Sequence, residues 1–118
     1  MYDLDDSLFK NINRKKAYYE FLDSTLPDGL VDFKKEFLSF DFNYLVETVI
    51  EYGSAAIKIT ISDKLNSSSV YVLFDSEHLP YGVGEKTITG EIHPKIFSTS
   101  EKTIEEIKLR LKKNIINW

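Results

Sequence analysis

The sequence predicts an α+β domain: an antiparallel sheet of three to four strands, packed by N-terminal helices and a C-terminal amphipathic helix. Three observations predict it. Apolar and polar residues alternate from Phe40 to Ile61, as they do in half-buried strands. An unbroken apolar run, Val70-Tyr71-Val72-Leu73-Phe74, has the make-up of a strand covered on both faces. Ile104, Ile107, Leu111, Ile115 and Trp118 step by three and four, which places them on one stripe of a helix.

A first helix is expected over about residues 6–23, with Asp6 and Ser7 able to cap it and Leu8, Ile12, Tyr19 and Leu22 on one stripe. Ser24-Thr25-Leu26-Pro27-Asp28-Gly29 is rich in turn formers and predicts a break. A second helix, about 29–38, then puts Leu30, Phe33 and Phe37 on one face and Lys34, Lys35 and Glu36 in water. Strands at about 40–52 and 55–62 form a hairpin. Phe40, Phe42, Tyr44, Val46, Thr48, Ile50 and Tyr52 make one row, and Ile57, Ile59 and Ile61 match it. With Gly53-Ser54 as a II′ turn, Ile50 faces Ile57, Thr48 faces Ile59 and Val46 faces Ile61.

The opposite face then carries Asp41, Asn43, Glu47, Glu51, Lys58, Thr60 and Ser62. A third strand over about 69–75 lacks alternation, which predicts a central place in the sheet. The stretch Asp75 to Glu85 holds Pro80, Gly82 and Gly84 and reads as irregular. Alternation resumes over about 86–92, a fourth strand with Ile88, Gly90 and Ile92 on one side, ended by Pro94. Ser98 and Glu101 have capping-box spacing at the start of a last helix, about 99–117. Its acidic residues come early and its basic residues late, which complements the helix dipole.

With 118 residues, 42% of them hydrophobic, the chain has the size of one domain with a real core. It has no Cys, and so no disulfide, thiolate metal site or thiol nucleophile. A net charge of −4 argues against nucleic acid and for a basic partner. No apolar run approaches the roughly 20 residues of a spanning helix, so no membrane partner is expected. The N-terminal Asp3, Asp5 and Asp6 are the opposite of a basic export signal, which points to a cytoplasmic protein.

The candidate chemistry is thin. Glu77 and His78 in the long loop, with Glu91 and His93, offer metal-ligand residue types. If the third and fourth strands pair as a hairpin, however, seven strand residues hold the two histidines roughly 23 Å apart. No metal and no cofactor is therefore expected. Gly82-Val83-Gly84-Glu85-Lys86-Thr87 suggests a phosphate loop only briefly: Glu85 separates Gly84 from Lys86 and a strand follows, so the glycines read as turn geometry. No Gly-x-Ser-x-Gly elbow is present, and the serines lie in caps and loops. Arg14-Lys15-Lys16 beside Tyr18 and Tyr19, and the basic end of the last helix, have helix-stripe and dipole explanations. A non-enzymatic protein is expected.

What remains is an acidic and aromatic platform. Leu45 and Val49 interrupt the polar face, rimmed by Asn43, Glu47 and Glu51; either this strip meets a partner or a helix covers it. Asp75, Glu77, Tyr81 and Glu85 offer a second such surface on the long loop. Glu47, Glu51, Asp75, Glu77, Tyr81 and Glu85 are thus the expected partner-binding residues, and reversing Glu47 and Glu51 is expected to weaken binding without lowering the melting temperature.

A cysteine-free α+β domain of this size, its acidic balance and its Asn114-Ile115-Ile116-Asn117 composition resemble the small acidic immunity proteins encoded beside bacterial toxins, including those of contact-dependent growth inhibition. The likeness is one of overall profile, and no functional residue is carried over from it. It implies a monomer or weak dimer that binds a cognate toxin domain with a basic surface, such as a nuclease, and occludes its active site. Carboxylates that mimic phosphates and opposite fields that speed capture suit that task. Two other classes compete: a secretion or assembly chaperone holding a partner segment, and a phage-type inhibitor.

Overall fold

The alternating stretch folds as a two-residue hairpin. In the computed structural model, which describes residues 5–37, 41–74 and 80–118, β1 (Asn43–Glu51) pairs antiparallel with β2 (Ser54–Ser62). The turn is Tyr52-Gly53, not Gly53-Ser54, so Thr48 faces Ile57, Val46 faces Ile59 and Tyr44 faces Ile61. This register differs by two residues from the expected one, and a slip of two leaves every side chain on its expected face. The physical reason is the turn type. Tyr52 and Gly53 both have positive φ, 53° and 77°, the I′ pattern that matches strand twist. A tyrosine in that region is strained, and its hydroxyl is held from elsewhere: it accepts from Ile92 N at 2.7 Å.

The chain continues as a meander. β3 (Ser67–Leu73), β4 (Tyr81–Gly84) and β5 (Lys95–Phe97) follow, and the sheet order is β1-β2-β3-β4-β5, all antiparallel. The fold is α+β as the sequence predicts, with five strands among the described residues rather than three to four. β3 takes the central position that its unbroken apolar run predicts, and Val70, Tyr71, Val72 and Leu73 are all buried.

The expected fourth strand over 86–92 does not form. A single bridge between Lys86 and Ile92 closes a tight loop, braced by Thr87 N donating to Glu91 O at 2.8 Å. Ile88 stands fully exposed at its tip, and of the expected row Ile88, Gly90 and Ile92 only Ile92 is buried. Gly82 and Gly84 lie inside β4, not in a turn. They leave its outer face bare, and the returning segment Ile92–Pro94 lies flat against it. A Cβ on Gly84 would sit 2.7 Å from Ile92 Cγ2 and 3.3 Å from Pro94 Cα.

The N-terminal helical region also differs from expectation. A 3-10 turn (Asp6–Leu8) precedes α1 (Ile12–Glu20), and the cap is Asn11, whose side chain accepts from Arg14 N at 3.0 Å. The turn-rich stretch after Asp23 does not break the helix. It passes through a π turn (Phe21–Thr25) into α2 (Leu26–Gly29), then α3 (Val31–Phe37). Leu26 N reaches back five residues to Phe21 O. That wider turn stands just ahead of Pro27, whose ring lacks an N–H and crowds the preceding turn of a regular helix. The buried stripe is Tyr18, Phe21, Leu26, Leu30 and Phe33, whereas Ile12, expected on it, is 63% exposed.

At the other end α4 (Ser100–Ile116) is capped by Thr99, which accepts from Lys102 N, rather than by Ser98. Its expected stripe packs on the sheet: Ile104, Ile107 and Leu111 are buried, and Ile115 and Trp118 close over the core. Helices therefore cover one sheet face, and the main core lies between them and Tyr44, Val46, Ile57, Ile59, Ile61, Val70, Val72 and Val83.

Candidate docking surface around strand β1

The register sorts the uncovered face of the sheet into rows. One runs Val49, Ala56, Leu73, Gly82, Ile96; the next Glu47, Lys58, Tyr71, Gly84; the next Leu45, Thr60, Ser69. The loop closed by Lys86 and Ile92 lies over the first of these. Ile92 packs with Ala56, Tyr71, Leu73 and Val49 in a second small core. Lys86 Nζ stands 5.1 Å from the Tyr71 ring centre and 3.1 Å from Glu51 Oε2. The partner-bond to Glu51 holds the Lys86 ammonium above its ordinary pKa.

The far half of this face stays open. Leu45 is 53% exposed there, between Asn43 and Glu47, and Thr60 Oγ1 and Ser69 Oγ share a hydrogen bond of 2.9 Å beside it. No helix among the described residues covers Leu45. Val49, the other half of the expected apolar strip, is instead partly enclosed by the second core.

The six expected partner-binding residues do not share one surface. Glu47 is exposed on the open half, opposite Lys58. Glu51 lies on the same face but is only 17% exposed and paired to Lys86, so charge reversal there removes an ion pair. The expectation of an unchanged melting temperature is therefore kept for Glu47, while for Glu51 charge reversal is now expected to lower it. Tyr81 and Glu85 belong to the helix side of the sheet. Tyr81 packs on Phe21 and Phe74 with ring centres 5.5 and 6.0 Å away, and burial raises its phenol pKa. Glu85 accepts from Arg110 Nη1 at 3.1 Å and from Asn114 Nδ2 at 2.8 Å, which ties β4 to α4. Asp75 and Glu77 lie outside the described residues, as does His78. His93 Nε2 lies 3.3 Å from Glu91 Oε2 on the exposed loop, and among the described residues no cluster of three His, Asp or Glu could hold a metal ion. Among them, too, no helix is long and apolar enough to cross a membrane.

A second feature adjoins β1 on the helix side. Leu22, Leu26, Pro27 and Val31 face Tyr44 and Val46 across an open groove of about 470 Å³. Exposed Lys34 and Lys35 complete its lining, and Lys34 Nζ lies 4.4 Å from the Tyr44 ring centre. In sequence, Leu22 belongs to the expected stripe of the first helix, Tyr44 and Val46 to the apolar row of the first strand, and Leu26 and Pro27 to the expected break, so nothing marks them as one surface. Only the π turn and the position of β1 at the end of the sheet leave them facing a cleft.

Burial pushes the Tyr44 phenol up to about 12 from its ordinary 10.0. Because the folded state favours the neutral phenol, this stabilisation is complete below pH 10 and is lost as pH rises through 12. We expect alkaline unfolding monitored by circular dichroism to steepen in that window, and Tyr44→Phe to remove this component. An unchanged alkaline profile in Tyr44→Phe would show that the phenol is solvated. No protein family model, no curated protein and no solved structure matches this chain.

Proposed function

We propose that this chain works by docking on another protein and neutralising it, as an immunity protein does a cognate toxin domain with a basic surface. The observation that supports this reading is the open half of the outer sheet face. A half-exposed leucine stands there on a hydrogen-bonded sheet, rimmed by Asn43, Glu47 and paired hydroxyls. An apolar centre with a polar rim on a preformed strand has the make-up of a small interface core. The net charge of −4 would draw in a basic partner and speed encounter.

The test is a partner retrieved on the immobilised protein from its native cells and titrated against variants. Leu45→Ser with Glu47→Lys is expected to weaken binding at least tenfold. It should lower the melting temperature by no more than about 5 °C, since both side chains are exposed. Unchanged affinity would remove this face from the interface. A chaperone that holds an extended partner segment is the second reading, and one observation favours it: no strand among the described residues pairs with the outer edge of β1.

A further inference from the structure

We propose that the free edge of β1 and the groove beside it bind an extended segment of a partner protein as a sixth strand, one carrying apolar residues at every second position and a carboxylate. The inference goes beyond the neutralising role and uses a different surface of the same strand. Its first ground is the ladder. In a hairpin with a two-residue turn, the pair next to the turn, Glu51 and Ser54, exchanges hydrogen bonds, and so does every second pair outward. Asn43, Leu45, Glu47, Val49 and Glu51 therefore direct their backbone groups at β2. Tyr44, Val46, Thr48 and Ile50 direct theirs away from the sheet. Among the described residues none of these four makes a backbone bond beyond the strand.

Folded proteins blunt such an edge with proline, lysine, bulges or brevity. β1 has none of these. It runs nine residues, pairs with β2 without a bulge, and contains neither Pro nor Lys. The groove supplies the specificity that an edge alone lacks. A strand added to β1 places its hydrogen-bonded residues opposite Tyr44, Val46 and Thr48, with side chains on the same side as theirs. That side opens onto the apolar cleft formed with Leu22, Leu26 and Val31. Lys34 and Lys35 give this cleft a positive margin, which selects a segment with an acidic side chain. A π turn beside the cleft fits the pattern, since such turns concentrate at functional sites.

The test is a phage-displayed library of random twelve-residue peptides selected on the intact protein, with the enriched sequences synthesised. We expect enriched peptides to alternate apolar residues and to share an Asp or Glu. Lys34→Glu with Lys35→Glu should weaken them at least tenfold, and replacing the peptide's acid by Lys should restore binding to that variant. Ile50→Pro, at a site 60% exposed whose N–H points outward, should weaken binding by a similar factor while the protein still melts cooperatively. On binding, amide exchange at Tyr44, Val46, Thr48 and Ile50 should slow at least tenfold, with Leu45 and Glu47 little changed. Leu45→Ser with Glu47→Lys should leave peptide binding intact, so the two surfaces fail or stand separately. Absence of enrichment, peptides without the alternation, or binding indifferent to N-methylation of alternate peptide amides would each overturn the proposal. So would an edge-to-edge dimer in sedimentation velocity that Ile50→Pro dissolves, since the occupant would then be a second copy.

Discussion

Ile59→Asp is expected to leave the chain without a cooperative fold at 25 °C. Ile59 is fully buried on β2, between Val46 of β1 and Val70 of β3, on the face that the helices cover. It belongs to the main core, and among the described residues no charged side chain is buried. A carboxylate there must either be buried unpaired or take up a proton, and both routes cost more than about 4 kcal/mol. A domain of this size has roughly 5–15 kcal/mol to lose, and the lost isoleucine packing adds to the deficit. The graded control is Ile59→Val, expected to lower stability by about 0.5–1.5 kcal/mol with the transition intact. Near-ultraviolet circular dichroism and urea unfolding check both. A cooperative transition for the aspartate variant near that of the parent would mean that β2 does not sit at the centre of this core.

Gly84→Val is expected to be the next most damaging change, at about 2–3 kcal/mol, through overpacking rather than lost burial. The new Cβ meets Ile92 Cγ2 at 2.7 Å, and retreat is blocked by backbone: Pro94 Cα at 3.3 Å and His93 O at 3.4 Å. The segment Ile92–Pro94 would have to lift from β4. That would uncover Ala56, Tyr71 and Leu73 and release Ile92 N from the Tyr52 hydroxyl that accepts its hydrogen bond. The β1–β2 turn should loosen with it, because Tyr52 loses the contact that holds its positive φ. Gly82→Ala is the milder comparison, since the three nearest atoms are all side-chain atoms, Pro94 Cβ at 3.1 Å, Ile96 Cδ1 at 3.2 Å and Leu73 Cβ at 3.7 Å. Urea unfolding with amide exchange at Tyr52 and Ile92 reads the effect. Equal, small losses at both glycines would contradict the close packing of the loop.

What could be read from the chain, and what could not, follows from the range of the forces involved. The period of two in β1 and β2, the unbroken run of β3 and the three-four stripe of α4 are local patterns set by burial. Each appears where the spacing puts it. The hairpin register escaped because Gly53 suits either turn type, and the choice rests on Tyr52, held by Ile92 forty residues away. The 86–92 segment alternates as a strand would, but Gly82 and Gly84 draw its returning end onto β4 instead. Pro27 reads as a breaker, yet the preceding π turn carries the helix through it. The site was legible only in part. Leu45 and Glu47 follow from alternation alone. The burial of Glu51 depends on Lys86, and the attachment of Glu85 depends on Arg110 and Asn114, pairings that no local pattern encodes. The groove was hidden for a similar reason, since an apolar residue facing a cleft and one facing a core look alike in sequence.

Hydroxyl-radical footprinting of the protein, free and with its captured partner, is the most direct test of docking through the open sheet face. Leu45 should be labelled in the free protein and shielded in the complex, while Leu109 and Ile116, exposed on the outer side of α4, should be labelled equally in both. Shielding of Leu109 and Ile116 with Leu45 still labelled would contradict the account and move the interface to the last helix.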